Sequence, residues 1–308
     1  MHKLAIVIPY YKIDHFEETL RSLAQQRDQR FALYIGNDGS PQDPTALIQQ
    51  YFSPAQYSYY AYTENIGAQN LALQWARILE HVEEPWFQLL GDDDLVSTDF
   101  VLELNGILNG PADNVNVIKV NSRLCGATGQ TIKQLHGHLK SGCYNAIDLL
   151  IQKFKGGLNS SLSEHVFRLS KFQEVGFDNY PLAWHTDDML IGRMTAGEPL
   201  MFLSAPLVSI RVYEGSTSGA SHNLREKNAA TKRFFMDFLK LLLEGRASWR
   251  TKRAFLKSLR QHKHALGMAY LQALYYRSGV VGSAYFQTYL LKLWLRRLAL
   301  TLTVIKDD

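Results

Sequence analysis

The sequence predicts an α/β protein in which a mostly parallel sheet is flanked by helices and followed by a basic helical extension. Short apolar runs rich in β-branched residues, of which Leu4–Pro9 is the clearest, are typical of strands buried on both faces of a parallel sheet. These runs alternate with segments of helical periodicity, which implies right-handed parallel crossovers. Residues 225–308 carry 17 Lys and Arg against 5 Asp and Glu, although the whole chain has a net charge of only +4.

The elements follow in order along the chain. Strands are predicted over residues 4–9, 31–35, 57–62, 86–90, 115–120 and 164–168, and a hairpin over 126–132. Helices are predicted over 16–26, 43–52, 95–109 and 189–196, and a further helix runs to about residue 81. Asp14 is available to cap the first helix, and Ser97–Asp99 the helix that begins near residue 95. Ligands bind such sheets at the carboxyl ends of strands, where Tyr10, Asp38 and Asp92 lie.

Three adjacent carboxylates, the acidic triplet Asp92, Asp93 and Asp94, follow the apolar run 86–90. Adjacent anions repel one another and cost stability unless a cation lies between them. Hard ions such as Mg²⁺ and Mn²⁺ prefer oxygen ligands, and Mg²⁺ is usually held by one or two carboxylates together with substrate phosphates. The triplet therefore indicates a metal–nucleotide site. Taken alone, it is equally typical of a solvated acidic turn or a helix N-terminus.

Four short motifs occur in order at the ends of predicted strands: Val7–Tyr11, Asn37–Ser40, Asn65–Asn70 and Gly91–Asp94. Together they resemble the nucleotide-binding half of family 2 glycosyltransferases of the GT-A fold, over roughly residues 3–215. The resemblance implies a GT-A type, Rossmann-like sheet. It also implies an inverting transfer of a sugar from a nucleotide-diphosphate donor, with a UDP-sugar as the first expectation. Such transfers are used in the assembly of bacterial surface polysaccharides of the O-antigen type.

The resemblance also implies roles for individual residues on the nucleotide side. Pro9 and Tyr10 would hold the uracil base, Asp38 would contact base or ribose, and Asn65 and Asn70 would contact the nucleotide. Taken alone, each has an ordinary structural interpretation. Tyr10 is equally typical of core packing, Asp38 of a carboxylate closing its own turn, and the two asparagines of helix caps.

Within the triplet, Gly91 stands where the family often has its first Asp, so the Asp-x-Asp unit is most simply Asp92 to Asp94. Side chains alternate along an extended strand, which places Asp92 and Asp94 on one face. By resemblance, Asp94 is assigned to the metal, Mn²⁺ or Mg²⁺, and Asp92 to ribose or metal. Asp93 remains an alternative for either role and a nucleotide contact, because strict alternation fails at a strand end.

A second group of carboxylates, the acidic pair Asp187–Asp188, opens the predicted helix 189–196. In an inverting glycosyl transfer a carboxylate acts as general base on the acceptor hydroxyl. The family usually has Glu-Asp here, so the resemblance assigns the base to Asp188 and supporting roles to Asp187 and His185. By itself the pair is also typical of a helix N-cap, and both interpretations can hold together.

The segment Ile210–Ser218 resembles the part of the family that closes over the nucleotide. It implies that Arg211 neutralises a phosphate, while Tyr213 stands at the usual His position and so puts ligation there in doubt. Ser216–Ser221 is either a loop that orders when the donor binds or an ordinary exposed loop. His136 and His138 are better explained by a polar loop than by metal ligation, since no third ligand accompanies them.

The predicted division places a catalytic domain at residues 1–222 and the basic helical extension at 223–308. Its last segment, 289–305, is a basic amphipathic helix with Trp294, of the kind that lies in a lipid headgroup layer. A helical bundle with a solvated face, or an oligomer contact, is the competing interpretation. Membrane contact would suit a saccharide acceptor carried on a lipid.

Several classes of protein are disfavoured. The basic charge comes without a nucleic-acid readout motif, so no nucleic-acid partner is expected. Cys125 and Cys143 form no disulfide framework and no metal-ligand spacing, which is typical of a reducing compartment. Neither a signal peptide nor an apolar run of the ~18 residues needed to span a membrane is present, so the chain is expected to be cytoplasmic, or peripheral at the inner face of the cell membrane.

The motifs thus predict a metal-dependent inverting glycosyltransferase that moves a sugar from a nucleotide-sugar donor to a hydroxyl of a saccharide or lipid-linked saccharide. One alternative is a sugar-nucleotide nucleotidyltransferase, which needs a Gly-rich, Arg/Lys-bearing loop where this chain has Pro9–Lys12. Another is a non-catalytic protein that binds nucleotides or glycans.

Overall fold

The computed structural model describes residues 2–133, 139–245, 247–279, 282–284, 287–288 and 291. Strands β1 to β10 are Leu4–Tyr10, Ala32–Asp38, Tyr57–Tyr62, Trp86–Leu89, Leu95–Val96, Val117–Cys125, Thr131–Lys133, Gly142–Asn145, His165–Arg168 and Pro199–Arg211. Helices α1 to α11 are Phe16–Ala24, Thr45–Tyr51, Leu71–Leu79, Phe100–Leu108, Ala146–Phe154, Leu169–Val175, Thr186–Thr195, Leu224–Glu244, Trp249–Ser258, Lys263–Leu266 and Met268–Arg277.

The strands form one large sheet in the order β3-β2-β1-β4-β9-β6-β10-β5, with β7 paired to β6 and β8 to β10. Strands β3, β2, β1 and β4 run parallel, as the strand–helix alternation predicts. Strand β9 then lies antiparallel between β4 and β6. The α/β fold class is confirmed, and the second half of the sheet makes it a mixed sheet.

The core is built around β1, whose apolar run Leu4–Ile8 is fully buried. On one side, α1 packs Phe16, Leu20 and Leu23 into the same cluster, at the three- and four-residue spacing of a helix face. Full burial of a large apolar side chain stabilises a fold by about 1.5–3 kcal/mol, so this layer fixes β1 and α1 firmly. The site described below is attached to the end of that rigid layer.

One predicted helix cap and one predicted helix start are wrong. Helix α1 begins at Phe16, as predicted, but His15 is at the N-cap with no side-chain capping bond, so Asp14 is not the cap. Leu95–Val96 is the short strand β5, paired antiparallel with β10, and α4 begins only at Phe100. Asp99 makes no capping bond and instead accepts a hydrogen bond from Arg27 at 2.8 Å. Pairing with a neighbouring strand overrides the local helix signal at residues 95–96.

Contacts divide the chain into two units, residues 1–230 and 231–308, with the division inside α8. The predicted division, at residues 222 and 223, precedes that helix. In the second unit, Phe235 and Phe238 of α8 pack against Phe255 of α9, with ring centroids 5.9 and 5.3 Å apart.

Within the described residues no helix is long and apolar enough to cross a membrane. The predicted helix 289–305, apart from residue 291, and both His136 and His138 lie outside the described residues.

Candidate active site

A cleft of about 600 Å³ lies where β1, β2 and β4 end. These strands are parallel and in register, with Val7 beside Leu89 and Tyr10 beside Asn37, so the segments that follow them converge. Helix α7 and the segment before it supply another wall. The lining includes Pro9, Tyr11, Lys12, Asp38, Asn65, Gly67, Asp92, Asp93, Asp94, Lys153, Ser163, Trp184, His185, Asp187, Asp188 and Ser216–Ser218.

Asp38 ends β2 and ties it to the turn that precedes α3. Its carboxylate accepts hydrogen bonds from the backbone N–H of Ile66 at 3.1 Å and of Gly67 at 2.8 Å, and it pairs with Arg77. A Cβ at Gly67 would lie 2.4 Å from Asp38 Oδ2, so only glycine allows this approach. Burial raises the pKa of Asp38 even though these donors and Arg77 oppose it. Asp38 therefore both shapes the turn and lines the cleft.

Pro9 and Asn65 lie in the cleft wall, whereas Tyr10 and Asn70 have structural roles. The Tyr10 ring is fully buried in the core, and its hydroxyl donates to the Gln42 carbonyl at 2.9 Å. Asn70 caps α3 by accepting from a backbone N–H, as its alternative interpretation predicts. Tyr11, one residue later, is the tyrosine that lines the cleft.

Two members of the acidic triplet are held by protein donors. Asp92 Oδ2 accepts from the backbone N–H of Tyr11 and of Lys12, both at 2.8 Å. Asp94 is buried; its Oδ1 accepts from the Arg211 N–H at 2.8 Å and its Oδ2 from the Ser163 hydroxyl at 2.5 Å. Both oxygens of Asp94 are therefore engaged, which argues against the sequence-based assignment of Asp94 as the main metal ligand.

Asp93 is the carboxylate that the protein leaves open. Within the described part of the chain its side chain accepts no hydrogen bond from another residue. Burial, together with the charges of Asp94 and Asp92, raises the pKa of Asp93 to about 8. The cluster thus carries more negative charge than its surroundings neutralise.

Arg211 does not offer a free guanidinium to a phosphate. The side chain is fully buried, and Nε donates to the Asp93 carbonyl at 2.9 Å and Nη1 to the Ala127 carbonyl at 2.7 Å. Nη2 pairs with Glu18 at 2.8 Å. Arg211 lines the cleft and fixes the backbone of the triplet, and its burial and these bonds argue against the sequence-based assignment of Arg211 as a phosphate ligand.

A divalent cation fits the open side of the triplet. No group of three His, Cys, Asp or Glu side chains is arranged to hold a metal ion within the residues described. Asp93 and the remaining oxygen of Asp92 would supply one or two carboxylate ligands, which is the protein share typical of Mg²⁺ sites completed by substrate phosphates. The residues present therefore fit Mn²⁺ or Mg²⁺ bound together with a diphosphate.

The acidic pair begins α7 in a strained stretch of backbone. Leu182, Ala183 and His185 all have positive φ, of 58°, 50° and 72°. Such conformations cost about 1–3 kcal/mol each and persist where the surroundings hold them in place, commonly at functional sites. They turn the chain so that both Asp187 and Asp188 lie at the cleft.

Asp188 is buried and fully engaged. Its Oδ1 pairs with Lys153 Nζ at 2.5 Å, its Oδ2 contacts His185 Nδ1 at 2.8 Å, and its side chain is 0% exposed. Burial alone would raise the pKa of Asp188, but Lys153 and His185 outweigh it and lower that pKa to about 2. Asp188 stays ionised at neutral pH and has a partner on each oxygen, which argues against the sequence-based assignment of Asp188 as the base.

Asp187 is the carboxylate of the pair that remains accessible. Its side chain is 13% exposed, and its contact with Lys153 Nζ is a looser 3.8 Å. Burial raises the pKa of Asp187 to about 6, while the charge of Lys153 limits the rise. A carboxylate with that pKa is ionised at neutral pH and still basic enough to accept a proton.

Comparisons with known proteins identify the family of this chain. The model of the family described as glycosyl transferase family 2 matches residues 5–163, about half of the chain. The chain belongs to glycosyl transferase family 2. The match covers the nucleotide side of the cleft and the acidic triplet, and ends at Ser163, which donates to Asp94.

Individual relatives extend the comparison. A teichoic acid poly(glycerol phosphate) polymerase of Staphylococcus epidermidis is 36% identical over 104 residues, which are 32% of this chain and 14% of that protein. The structure of S. aureus TarS residues 1–349 with UDP-GlcNAc matches with a TM-score of 0.59 and 13% identity over 88% of this chain and 83% of that one. The same fragment with UDP matches with a TM-score of 0.55 and 12% identity over 93% and 92%. These structural matches support the fold.

Sequence reasoning missed Lys153, a charged residue of the cleft. It lies in the last turn of α5, a helix with six buried apolar or small residues. Its signal was present in the sequence: Lys153 follows Leu149 and Leu150 by four and three residues, so it shares their buried face. A lysine on such a face needs an anionic partner, and the acidic pair provides it.

The family's closing segment is packed against the cleft in this structure. Ser216 is buried, and its hydroxyl donates to the Tyr213 carbonyl at 2.8 Å and accepts from the Gly219 N–H at 3.0 Å. Lys12 Nζ donates to the Gly215 carbonyl. Burial and the charges of Asp93 and Asp92 raise the pKa of Tyr213 to about 12, so a phenol, which is a hydrogen-bond donor, stands near the triplet where the family usually has His.

Proposed function

We propose that this protein is an inverting, metal-dependent glycosyltransferase that moves a sugar from a UDP-sugar to a hydroxyl of a saccharide acceptor. One observation carries the proposal: a single cleft holds an open carboxylate within the triplet, at Asp93, and another within the pair, at Asp187. A transfer of this kind needs a place for a cation-bound diphosphate and a base for the incoming hydroxyl. The membership of glycosyl transferase family 2 supports the reaction class.

On the donor side, the cleft wall of Pro9, Tyr11, Asp38 and Asn65 binds the nucleoside. Asp93 and Asp92 would hold Mn²⁺ or Mg²⁺, and Asp94, fixed by its bonds to Ser163 and Arg211, would anchor the turn that carries them. When bound, the metal supplies Lewis-acid stabilisation of the departing diphosphate. UDP-GlcNAc and UDP occupy the TarS structures that share the fold, which supports a uridine nucleotide as the donor.

On the acceptor side, Asp187 takes the proton from the acceptor hydroxyl as its oxygen attacks the anomeric carbon. We assign the base to Asp187 in place of Asp188, because Asp187 is accessible and Asp188 has both oxygens engaged. A direct displacement with one base inverts the anomeric centre, and no second carboxylate nucleophile is required. Alignment of the two substrates by the cleft supplies much of the remaining rate.

The acceptor we propose is a saccharide carried on a lipid. The teichoic acid polymerase relative supports assembly of a surface polymer, and the second unit offers a basic surface for a membrane. In α9 Trp249 is 60% exposed, and Arg250, Arg253 and Lys257 are exposed beside it. Sedimentation with phosphatidylglycerol vesicles tests this contact. Salt-sensitive binding that weakens in Arg250→Ser/Arg253→Ser supports it, and equal binding to neutral vesicles contradicts it.

The experiment that tests the reaction is a thermal-shift panel of nucleotide sugars with Mn²⁺ or with EDTA. We expect one UDP-sugar to raise the melting temperature only with Mn²⁺, and Asp93→Asn to lose that rise. Asp113→Asn, a change at an exposed aspartate outside the cleft, is the matched control and should keep it. A panel in which no nucleotide sugar shifts the wild-type protein would overturn the proposed function.

A further inference from the structure

Lys153 has a position that the proposed reaction does not by itself explain. It reaches the cleft from α5, and its side chain is only 20% exposed. Its ammonium nitrogen lies 2.5 Å from Asp188 Oδ1 and 3.8 Å from Asp187 Oδ2. One cation therefore contacts both members of the acidic pair, tightly the buried one and loosely the accessible one.

Asp188 fixes this cation in place. Its second oxygen contacts His185 Nδ1 at 2.8 Å, and His185 is the residue whose positive φ turns the chain into α7. The carboxylate thus joins α5 to the strained start of α7. A buried carboxylate separated from both of its partners is strongly destabilising, so the arrangement holds the ammonium beside Asp187 with little freedom.

The other charged groups packed around the pair do not replace Lys153. Lys119 of β6 forms an ion pair with Glu164, and both side chains are buried. His165 of β9 is fully buried, its Nδ1 is 2.7 Å from the Ser161 carbonyl, and burial lowers its pKa well below the usual value, so it is neutral. His185 acts on Asp187 as well, but its ring contacts Asp188.

We propose that Lys153 is a positioning residue that keeps Asp187 ionised and directed at the cleft, with Asp188 as the anchor of its ammonium group. The use of Asp187 as a base rests on the proposed function, whereas the link from Lys153 to Asp187 rests only on the contacts above. Without Lys153, two adjacent carboxylates share a poorly solvated site. Such a pair takes up a proton, and the less firmly held member, Asp187, receives it.

The direct test is a pH titration of the Asp187 carboxyl by NMR in protein labelled with ¹³C at the aspartate carboxyl. Asp187→Asn and Asp188→Asn assign the two signals. In Lys153→Gln, which keeps a donor for Asp188 but removes the charge, we expect the pKa of Asp187 to rise by about one pH unit or more. Lys153→Arg, which keeps the charge, should leave it near the wild-type value. Lys155→Gln, at an exposed lysine two residues later, is the matched control.

Lys153→Met is the second variant if Lys153→Gln does not fold. An Asp187 titration that is the same in the charge-removing variant and in Lys155→Gln would overturn the proposal, whatever the activity. A titration that also moves in Lys153→Arg would overturn it too, because a structural disturbance would then explain the change.

Kinetics separate this inference from the proposed function. With a UDP-sugar that the wild type uses, the acidic limb of kcat against pH should move upward with the NMR titration in Lys153→Gln. If the titration moves and the wild type transfers no sugar from any UDP-sugar, Lys153 keeps its role and the proposed function fails. If the wild type is active and the titration does not move, Lys153 loses its role and the proposed function stands.

Discussion

The two acidic clusters of the cleft both place carboxylates next to one another, and the protein compensates their repulsion in different ways. The triplet Asp92–Asp94 has no ion pair with a basic side chain in the part of the chain that the structure describes; its donors are backbone N–H groups and a serine hydroxyl. The pair Asp187–Asp188 has Lys153 and His185. Within that part of the chain, the negative charge of the triplet is therefore not balanced by an ion pair, whereas Lys153 balances part of the charge of the pair.

The difference shows in the protonation of the open carboxylates. Burial and neighbouring anions raise the pKa of Asp93 to about 8, whereas the pKa of Asp187, with Lys153 beside it, rises only to about 6. In each cluster a neighbour, Asp94 or Asp188, is held by the protein so that the open carboxylate keeps its place. The triplet is arranged to receive a cation, and the pair is arranged to accept a proton.

The largest expected effect is on turnover in Asp187→Asn. Loss of a general base lowers kcat by about 10²–10⁴-fold, because the acceptor hydroxyl must then lose its proton without assistance. The donor-induced rise in melting temperature should remain, since the triplet is untouched. Steady-state kinetics and thermal shift on the same preparation check both halves.

Asp148→Asn is the matched control for that variant, because Asp148 is exposed on α5 away from the cleft lining. It should keep the wild-type kcat. Wild-type turnover in Asp187→Asn would remove Asp187 from its role and return the assignment to Asp188.

Asp188→Asn should chiefly affect stability. Removing one partner of a buried pair leaves Lys153 without its closest anion, at a cost of about 3–5 kcal/mol in the free energy of unfolding. Asp187→Asn should cost far less, since burial of that carboxylate is itself unfavourable. Urea unfolding at pH 7 measures both. Equal stability of the two variants would mean that the pair is not divided into an anchor and an open member.

Sequence reasoning located both clusters but not the open member of either. Alternation along a strand favours Asp92 and Asp94, yet β4 ends at Leu89 and the triplet lies in a turn, where alternation no longer applies. Asp94 is turned inward by Ser163 and Arg211, which are 69 and 117 residues away in the chain. Lys153, 35 residues from Asp188, is a contact of the same kind. Local patterns do not contain such information.

The parts that sequence did predict are those with a local physical cause. The strand β1 follows from an unbroken apolar run, and the carboxyl-end position of Asp38 and the triplet follows from parallel crossovers. For Tyr10 the sequence left core packing and base contact open, and the burial of Arg211 was not predicted, because an aromatic or an arginine beside a cleft looks the same in sequence whether it faces the ligand or the core.

Asp93→Asn tests the acidic triplet as a metal site. We expect Mn²⁺ in the presence of UDP to bind at least about 10–100-fold more weakly, since even residues that only support metal ligands have effects of that size. Titration calorimetry with UDP and Mn²⁺ measures the change, and Asp113→Asn serves again as the control. Affinity equal to the wild type would assign the metal to Asp92 and Asp94, as strand alternation suggests.

The smallest expected effect is in the wild-type protein, where kcat and stability should depend on pH in different ways. Asp187 must be ionised to accept a proton, so kcat at saturating donor and Mn²⁺ should fall about tenfold for each pH unit below about 6. The free energy of unfolding should not fall over the same pH range. The lowered pKa of Asp188, about 2, gives stability that is present above the unfolded value and is lost only as pH falls through about 4 towards 2.

The raised pKa values of Asp93 and Asp187 act in the opposite sense, because the folded state binds those protons more tightly and gains stability as pH falls through them. Between pH 7 and pH 5 the protein should therefore lose turnover while its melting temperature holds or rises. Parallel loss of both would show that the acidic limb reports unfolding, and that Asp187 is not the group whose ionisation limits the reaction.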